Sequence, residues 1–205
     1  MIPDAYFDRF ETPKYRRRSR VRRALIRRFV RCLHELILDA GPVTSMLEIG
    51  VGEGFLSGYL SEQLPTVRFC GVDASAAALG RLNRLFPRIE ARVGDAYDLS
   101  GVEGPFDLVL CAEVLEHLDQ PARALDAMAA LRPRRALLTV PHEPFFRLSN
   151  LASGANVARW GNDPEHVQHF GPRSFRELLS ARFDVLRLDT SYPWLLALAA
   201  PRGPG

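Results

Sequence analysis

Three glycines at alternate positions, Gly50, Gly52 and Gly54, close a short apolar run, Met46–Ile49, that carries one acid, Glu48, near its end. Glycine admits positive φ and a close approach of backbone to ligand, so N–H groups at such a turn can cradle something polar. Acids end the next two apolar runs as well. Asp73 closes Val67–Val72 and lies 19 residues beyond Gly54, near the ~20 expected of a carboxylate that accepts both hydroxyls of a ribose. Asp95 follows Ile89–Val93 in the turn Gly94-Asp95-Ala96. In an open parallel sheet, ligands bind beyond the carboxyl ends of the strands. Taken alone, Asp73 or Ser75 reads equally as a helix cap, and Gly94-Asp95 only as a turn.

A second group of reactive side chains follows the run Phe106–Cys111. If a helix begins near Glu113, then Glu116 is three residues on and His117 four, so all three share a face. Two carboxylates and an imidazole can hold a divalent cation, Mg or Mn, with a fourth ligand from elsewhere. His169, in Asn162–Phe170, is the candidate for that ligand. Such a cation would lower the pKa of a substrate hydroxyl. His142 stands just past a fifth apolar run, Arg135–Val140. An imidazole poised near neutral pH could deprotonate a hydroxyl there, and it reads equally as a histidine that bonds its own loop.

Spacing decides which ligand the glycine turn takes. A dinucleotide turn, G-x-G-x-x-G, needs its third glycine where this chain has Phe55, which argues against a nicotinamide-dependent oxidoreductase. The stretch Glu48–Gly54 reads E-x-G-x-G-x-G instead. This resembles motif I of class I S-adenosylmethionine-dependent methyltransferases, and the resemblance extends over about residues 44–200. It departs mildly, with Val51 where a cysteine or small residue is commoner and Glu48 for the frequent Asp. The resemblance implies S-adenosyl-L-methionine as cofactor, held by Glu48, Gly50, Gly52, Gly54, Asp73, Ala74, Asp95, Ala96 and Cys111. Asp95 would meet the adenine amino group and the Ala96 N–H a ring nitrogen. The segment from Glu113 to Leu118, E-V-L-E-H-L, resembles both ubiquinone-type O-methyltransferases and small-RNA terminal 2′-O-methyltransferases. In the latter, E-x-x-E-H and a distant His bind a metal that holds two ribose hydroxyls. Many relatives carry the segment with no metal, the Glu packing on the cofactor and the His being structural.

The elements that must position these groups alternate between strand and helix patterns, which gives an α/β fold. Seven strands are expected, near 46–49, 67–73, 89–93, 106–111, 135–140, 183–189 and 194–200. The strand at 89–93 has one face exposed and belongs near a sheet edge. The last two are joined so closely, at Ser191-Tyr192-Pro193, that they must form an antiparallel hairpin. A doubly wound, mostly parallel sheet ending in such a hairpin is the Rossmann-like methyltransferase fold that the resemblance implies. Asp119 and Pro121 mark one helix start, and Ser174–Glu177 reads as a capping box for another.

The domain so outlined spans 43–200, with an irregular insert at 145–170 holding Phe145, Phe146, Asn150, Asn156 and Trp160, which is assigned to substrate binding. Residues 201–205 read as a disordered tail. Residues 1–18 form an arm without a core of its own, followed by an amphipathic helix from Ser19 to Gly41. Val21, Leu25, Phe29, Leu33 and Leu36 make the apolar stripe of that helix, and Arg20, Arg22, Arg23, Arg27, Arg28 and Arg31 its basic face. In methyltransferases a helix of this kind often closes over the cofactor, so residues 1–42 are expected to act as a lid. The basic face reads first as a solvated surface, and second as a contact for nucleic acid or an anionic membrane surface.

A chain of 205 residues with net charge +3 buries one core and names no partner by its charge. The cysteines Cys32, Cys70 and Cys111 are odd in number and set in apolar surroundings, which suits reduced thiols in the cytoplasm. No leader or membrane span is expected. Three readings follow: O-methylation of a small-molecule acceptor, with Glu113, His142 and His169 as candidate catalytic residues; 2′-O-methylation of RNA held on the arginine helix; and a non-catalytic partner protein that keeps the cofactor site.

Overall fold

The computed structural model describes residues 2–16, 19–143, 145 and 167–203. Seven strands form one sheet: β1 (Ser45–Ile49), β2 (Arg68–Asp73), β3 (Glu90–Val93), β4 (Leu108–Ala112), β5 (Arg135–Pro141), β6 (Phe183–Ser191) and β7 (Trp194–Pro201). Their order is β3-β2-β1-β4-β5-β7-β6. The first five are parallel, and β7 runs antiparallel to both neighbours. This is the expected α/β architecture, with β3 at one edge and the hairpin at the other. The direction of winding reverses between β1 and β4, which is where such sheets open a crevice for ligands.

The helices are α1 (Asp4–Phe7), α2 (Pro13–Arg16), α3 (Arg20–Asp39), α4 (Phe55–Gln63), α5 (Ala76–Leu85), α6 (Pro121–Ala130) and α7 (Pro172–Ser180). Strands covered on both faces need apolar residues on both, and β4 illustrates it. Leu108, Leu110 and Ala112 pack with α3, α4 and α5, whereas Val109 and Cys111 pack with α6 and α7. Glu48 shares the α4 side of β1, where it meets Ser57.

Local signals placed several boundaries correctly and others one to three residues away. Ser19 and Ser75 cap α3 and α5 through their hydroxyls. Gln120, not Asp119, stands at the N-cap of α6, because Pro121 fits the first helical position. The expected capping box at Ser174–Glu177 lies inside α7, which starts at Pro172. There Ser174 Oγ accepts the Gly171 N–H at 3.0 Å, and Glu177 pairs with Arg173 at 3.0 Å.

The apolar stripe of α3 is rotated from the expected one. Ile26, Phe29, Val30, Leu33, Leu36 and Ile37 are buried, while Val21 is 71% exposed. Arg23 is buried as well, because the arm folds back over the first turns of α3. Its guanidinium donates to Asp4 at 3.0 Å and to Asp8 at 2.6 Å, and Arg27 reaches Asp4 at 2.6 Å. The arm has no core of its own and joins that of the domain: Ile2, Tyr6, Phe7 and Phe10 are buried with Phe55. At the other end Pro201 belongs to β7 and the Arg202 N–H donates to Arg182 O at 2.9 Å, so the start of the expected tail is held by the sheet. No helix among the described residues is long and apolar enough to cross a membrane.

Candidate functional site

Gly50, Gly52 and Gly54 all have positive φ, at 74°, 54° and 81°. Their N–H groups are occupied inside the fold. Gly50 donates to Val72 O at 2.8 Å, Gly54 to Val51 O at 2.9 Å, and Gly52 to Asp73 Oδ2 at 2.7 Å. The expected cradle of N–H groups facing a ligand is therefore not what the turn provides. It provides room. A Cβ at Gly50 would stand 2.3 Å from Val114 Cγ2, so the turn packs directly on the segment after β4, while a Cβ at Gly52 would enter open space.

The acids stand at the carboxyl ends of adjacent strands. Glu48 is buried, and its Oε2 accepts the Ser57 N–H at 3.0 Å and the Ser57 hydroxyl. Burial pushes its carboxyl up to about 8, against the two Ser57 bonds, and nearby Asp73 adds to the rise. Asp73 accepts the Gly52 N–H through one oxygen and the Ser75 N–H, at 2.8 Å, through the other. Each carboxylate oxygen keeps a further lone pair for a ligand. Ala74 and Asp95 are exposed on the same lip, where Asp95 folds its own turn by accepting the Tyr97 N–H at 2.9 Å, and Ala96 is half-buried beside it.

A cavity of about 180 Å³ opens over the ends of β1 and β4. Glu48, Gly50 and Gly52 line one side, Ala112 and Glu113 another; Phe29 and Trp194 close it, and Thr12 and Tyr15 cover it. Cys111 takes no part through its thiol, which faces the α6 and α7 layer and is fully buried there. Burial pushes that thiol up, so it stays protonated and packs as an apolar group.

Residues 16–184 match the family model described as a methyltransferase domain. The chain belongs to that family. This methyltransferase is 27% identical over 133 residues to the mitochondrial ubiquinone biosynthesis O-methyltransferase of Saccharomyces cerevisiae, covering 61% of this chain and 43% of that one. It is 27% identical over 143 residues to a probable S-adenosylmethionine-dependent methyltransferase of Mycolicibacterium smegmatis, covering 68% and 52%. The chain thus spans about half the length of these two curated relatives. Its fold is similar to that of magnesium protoporphyrin IX methyltransferase from Synechocystis, with TM-score 0.67, 18% identity and coverage of 91% and 89%.

The candidate catalytic groups of the methyltransferase are not gathered as the sequence spacing suggests. Glu113 has φ +58 and ends β4 in a left-handed turn, and the helix beyond it is a single 3-10 turn, Leu115–His117. Glu113, Glu116 and His117 therefore do not share a helical face. Glu116 is fully buried, His117 Nε2 lies 4.0 Å from its Oε1, and Glu113 Oε2 accepts the Trp194 indole N–H at 2.7 Å. His169 turns to Glu143 instead, with Nδ1 3.8 Å from its Oε1. No group of three or more metal-ligating side chains comes together among the described residues, and the expected ligand set Glu113, Glu116, His117 and His169 is corrected accordingly. Phe146, Asn150, Asn156, Trp160 and the rest of the insert up to residue 166 lie outside the described residues, apart from Phe145.

His142 stands at the end of β5. Its N–H donates to Pro193 O at 2.8 Å, its ring meets Phe145 at 4.9 Å, and its Nδ1 has no hydrogen-bond partner among the described residues. Burial lowers its pKa, so it stays neutral near pH 7 and able to accept a proton.

The arm expected to cover the cofactor is tied to the glycine turn itself, through contacts that no sequence pattern announced. Tyr15 stacks on Phe55 at 3.8 Å with rings 2° apart, and Tyr6 donates to Phe55 O at 2.8 Å. Glu53, inside the glycine turn, accepts the Glu11 N–H and the Thr12 hydroxyl, each at 2.8 Å, and meets Arg81 at 3.2 Å. The acid at that variable motif position carried no signal of a partner 41 residues upstream. Glu113 was legible from its type, and Trp194 was not.

Proposed function

We propose that this cytoplasmic methyltransferase transfers the methyl of S-adenosyl-L-methionine to a hydroxyl of a small-molecule acceptor. The observation that carries the reading is the single cavity that joins the glycine turn and Glu48 to Glu113. The residues fit the cofactor on physical grounds. Gly52 leaves open the volume that any side chain would fill. Glu48 is a buried carboxyl held up near 8, which an ammonium group would relieve by pairing with it. Asp73 and Asp95 at the neighbouring strand ends would take the ribose and the adenine amino group.

When bound, the cofactor supplies a methyl already made electrophilic by its sulfonium. The protein's part is then to hold the acceptor oxygen in line and remove its proton. Glu113, on the cavity wall, is the residue proposed for this, with neutral His142 as the second base and His169, half-exposed and turned to Glu143, as a weaker candidate. Phe29 and Trp194 make the far wall apolar, which suits a small apolar body bearing the hydroxyl. The arm, packed over the cavity by Thr12 and Tyr15, acts as the lid.

RNA as acceptor is the weaker reading, because Arg23 and Arg27 of the six-arginine face already pair with Asp4 and Asp8. Incubation of the purified chain with labelled S-adenosylmethionine and a panel of phenols, catechols, aliphatic alcohols and single-stranded RNA tests the proposal. Label on oxygen of a small molecule supports it. Label on RNA alone, with affinity falling steeply in salt, would replace it.

A further inference from the structure

The indole N–H of Trp194 donates to Glu113 Oε2 at 2.7 Å, across 81 residues of sequence. An indole N–H only donates, so it keeps a carboxylate oxygen facing it. Trp194 itself has little freedom. It is 5% exposed, its ring lies 4.9 Å from Phe29 of α3, and its backbone is paired with Pro141 of β5 and Ser191 of β6. The preceding residue, Pro193, accepts the His142 N–H, so the start of β7 braces the strand-end segments of both β4 and β5. Glu113 needs such a brace. A left-handed backbone at a residue with a Cβ is unfavourable and persists only where its surroundings hold it.

We propose that Trp194 is a positioning residue, whose N–H holds the Glu113 carboxylate toward the transferred methyl. The proposal rests on the reading of the cavity as the methyl-donor site and adds how its reactive carboxylate is aimed.

S-adenosylmethionine and S-adenosylhomocysteine share every group except the methyl on sulfur and the positive charge that comes with it. Contacts of Glu48, Asp73 and Asp95 therefore cancel in the ratio of the two affinities, and a carboxylate aimed at the sulfonium does not. Calorimetric titration of both nucleosides into wild type, W194F, E113Q and the double variant reads that ratio. E113Q is expected to lower the preference for the sulfonium at least about tenfold, the lower, water-like limit for a charge pair a few ångströms apart. W194F should lower it by part of that factor, and should change nothing further once Gln stands at 113. In protein labelled with ¹⁵N-tryptophan, E113Q should move the indole resonance that W194F removes. If W194F does not fold, benzothienylalanine at 194 keeps the ring's shape and lacks only the N–H.

A variant at 194 that weakens both nucleosides alike, or lowers the ratio equally with Gln at 113, would overturn the proposal. An indole resonance indifferent to E113Q would do so too. Wild type that binds neither nucleoside overturns the donor reading and this proposal with it; binding with an unmoved ratio overturns this proposal alone.

Discussion

Gly52 donates its N–H to Asp73 Oδ2 at 2.7 Å, so the acid at the end of β2 is also the tie that shapes the glycine turn at the end of β1. Asp73→Ala leaves both the Gly52 and the Ser75 N–H without this acceptor, a loss of about 1–3 kcal/mol per buried group and less where water can replace it. Asp73→Asn keeps an oxygen for the turn and loses the charge. D73A is expected to lower the melting temperature and abolish nucleoside binding. D73N turns its NH2 toward one of the two N–H groups, so it should melt between wild type and D73A, and it should bind S-adenosylhomocysteine about tenfold more weakly, an effect of roughly 1.4 kcal/mol.

Two alanine substitutions in the same turn should fail in different ways. At Gly50 an added Cβ would stand 2.3 Å from Val114, and at Gly52 it would meet nothing within 4 Å. G50A combines a clash with a left-handed backbone and should destabilise the fold by well over the roughly 1–2 kcal/mol of the backbone alone. G52A bears only the backbone term and places its methyl in the cavity, so it should fold and lose nucleoside affinity. Thermal melts alongside calorimetry separate the two.

Glu48 gives the pH dependence. Its carboxyl sits near 8 in the fold against 4.5 for the ordinary group. The stability that goes with its protonated form is complete below pH 4.5 and is lost as pH rises toward 8. Glu48→Gln cannot ionise, so its melting temperature should fall less than that of wild type across this window. Binding of an amino group should release the proton, so that wild-type affinity for S-adenosylhomocysteine rises with pH up to about 8 and that of E48Q does not.

The arm is fastened to the turn through Glu53, which takes the Glu11 N–H and the Thr12 hydroxyl at 2.8 Å each. Glu53→Ala removes both acceptors and the nearer of the two acids that pair with Arg81. Bound S-adenosylhomocysteine is then expected to dissociate at least tenfold faster in stopped flow, with earlier tryptic cleavage in the arm. An unchanged rate would make the arm a fixed wall instead of a lid.

Much of the fold was legible because each element carries its own signal. Alternating apolar runs and glycine turns mark β1 to β5, and the short Ser191–Pro193 link forces the hairpin. Motif spacing alone separated a methyltransferase turn from a dinucleotide one at Phe55. What the sequence concealed depends on contacts between distant residues or on backbone conformations that no periodicity announces. Glu113, Glu116 and His117 look like one helical face until the left-handed turn at Glu113 separates them. The glycine N–H groups look available for a ligand until Val72, Val51 and Asp73 are seen to take them. Arg23 looks like part of an exposed basic face until Asp4 and Asp8 of the arm close over it.

Whether the cavity between the glycine turn and Glu113 holds S-adenosylmethionine is read most directly by calorimetric titration of S-adenosylhomocysteine into wild type and G52A, with NADH as competitor. One nucleoside per chain, no heat with folded G52A, and no displacement by NADH are expected. Equal binding to G52A, or displacement by NADH, would contradict that assignment of the cavity.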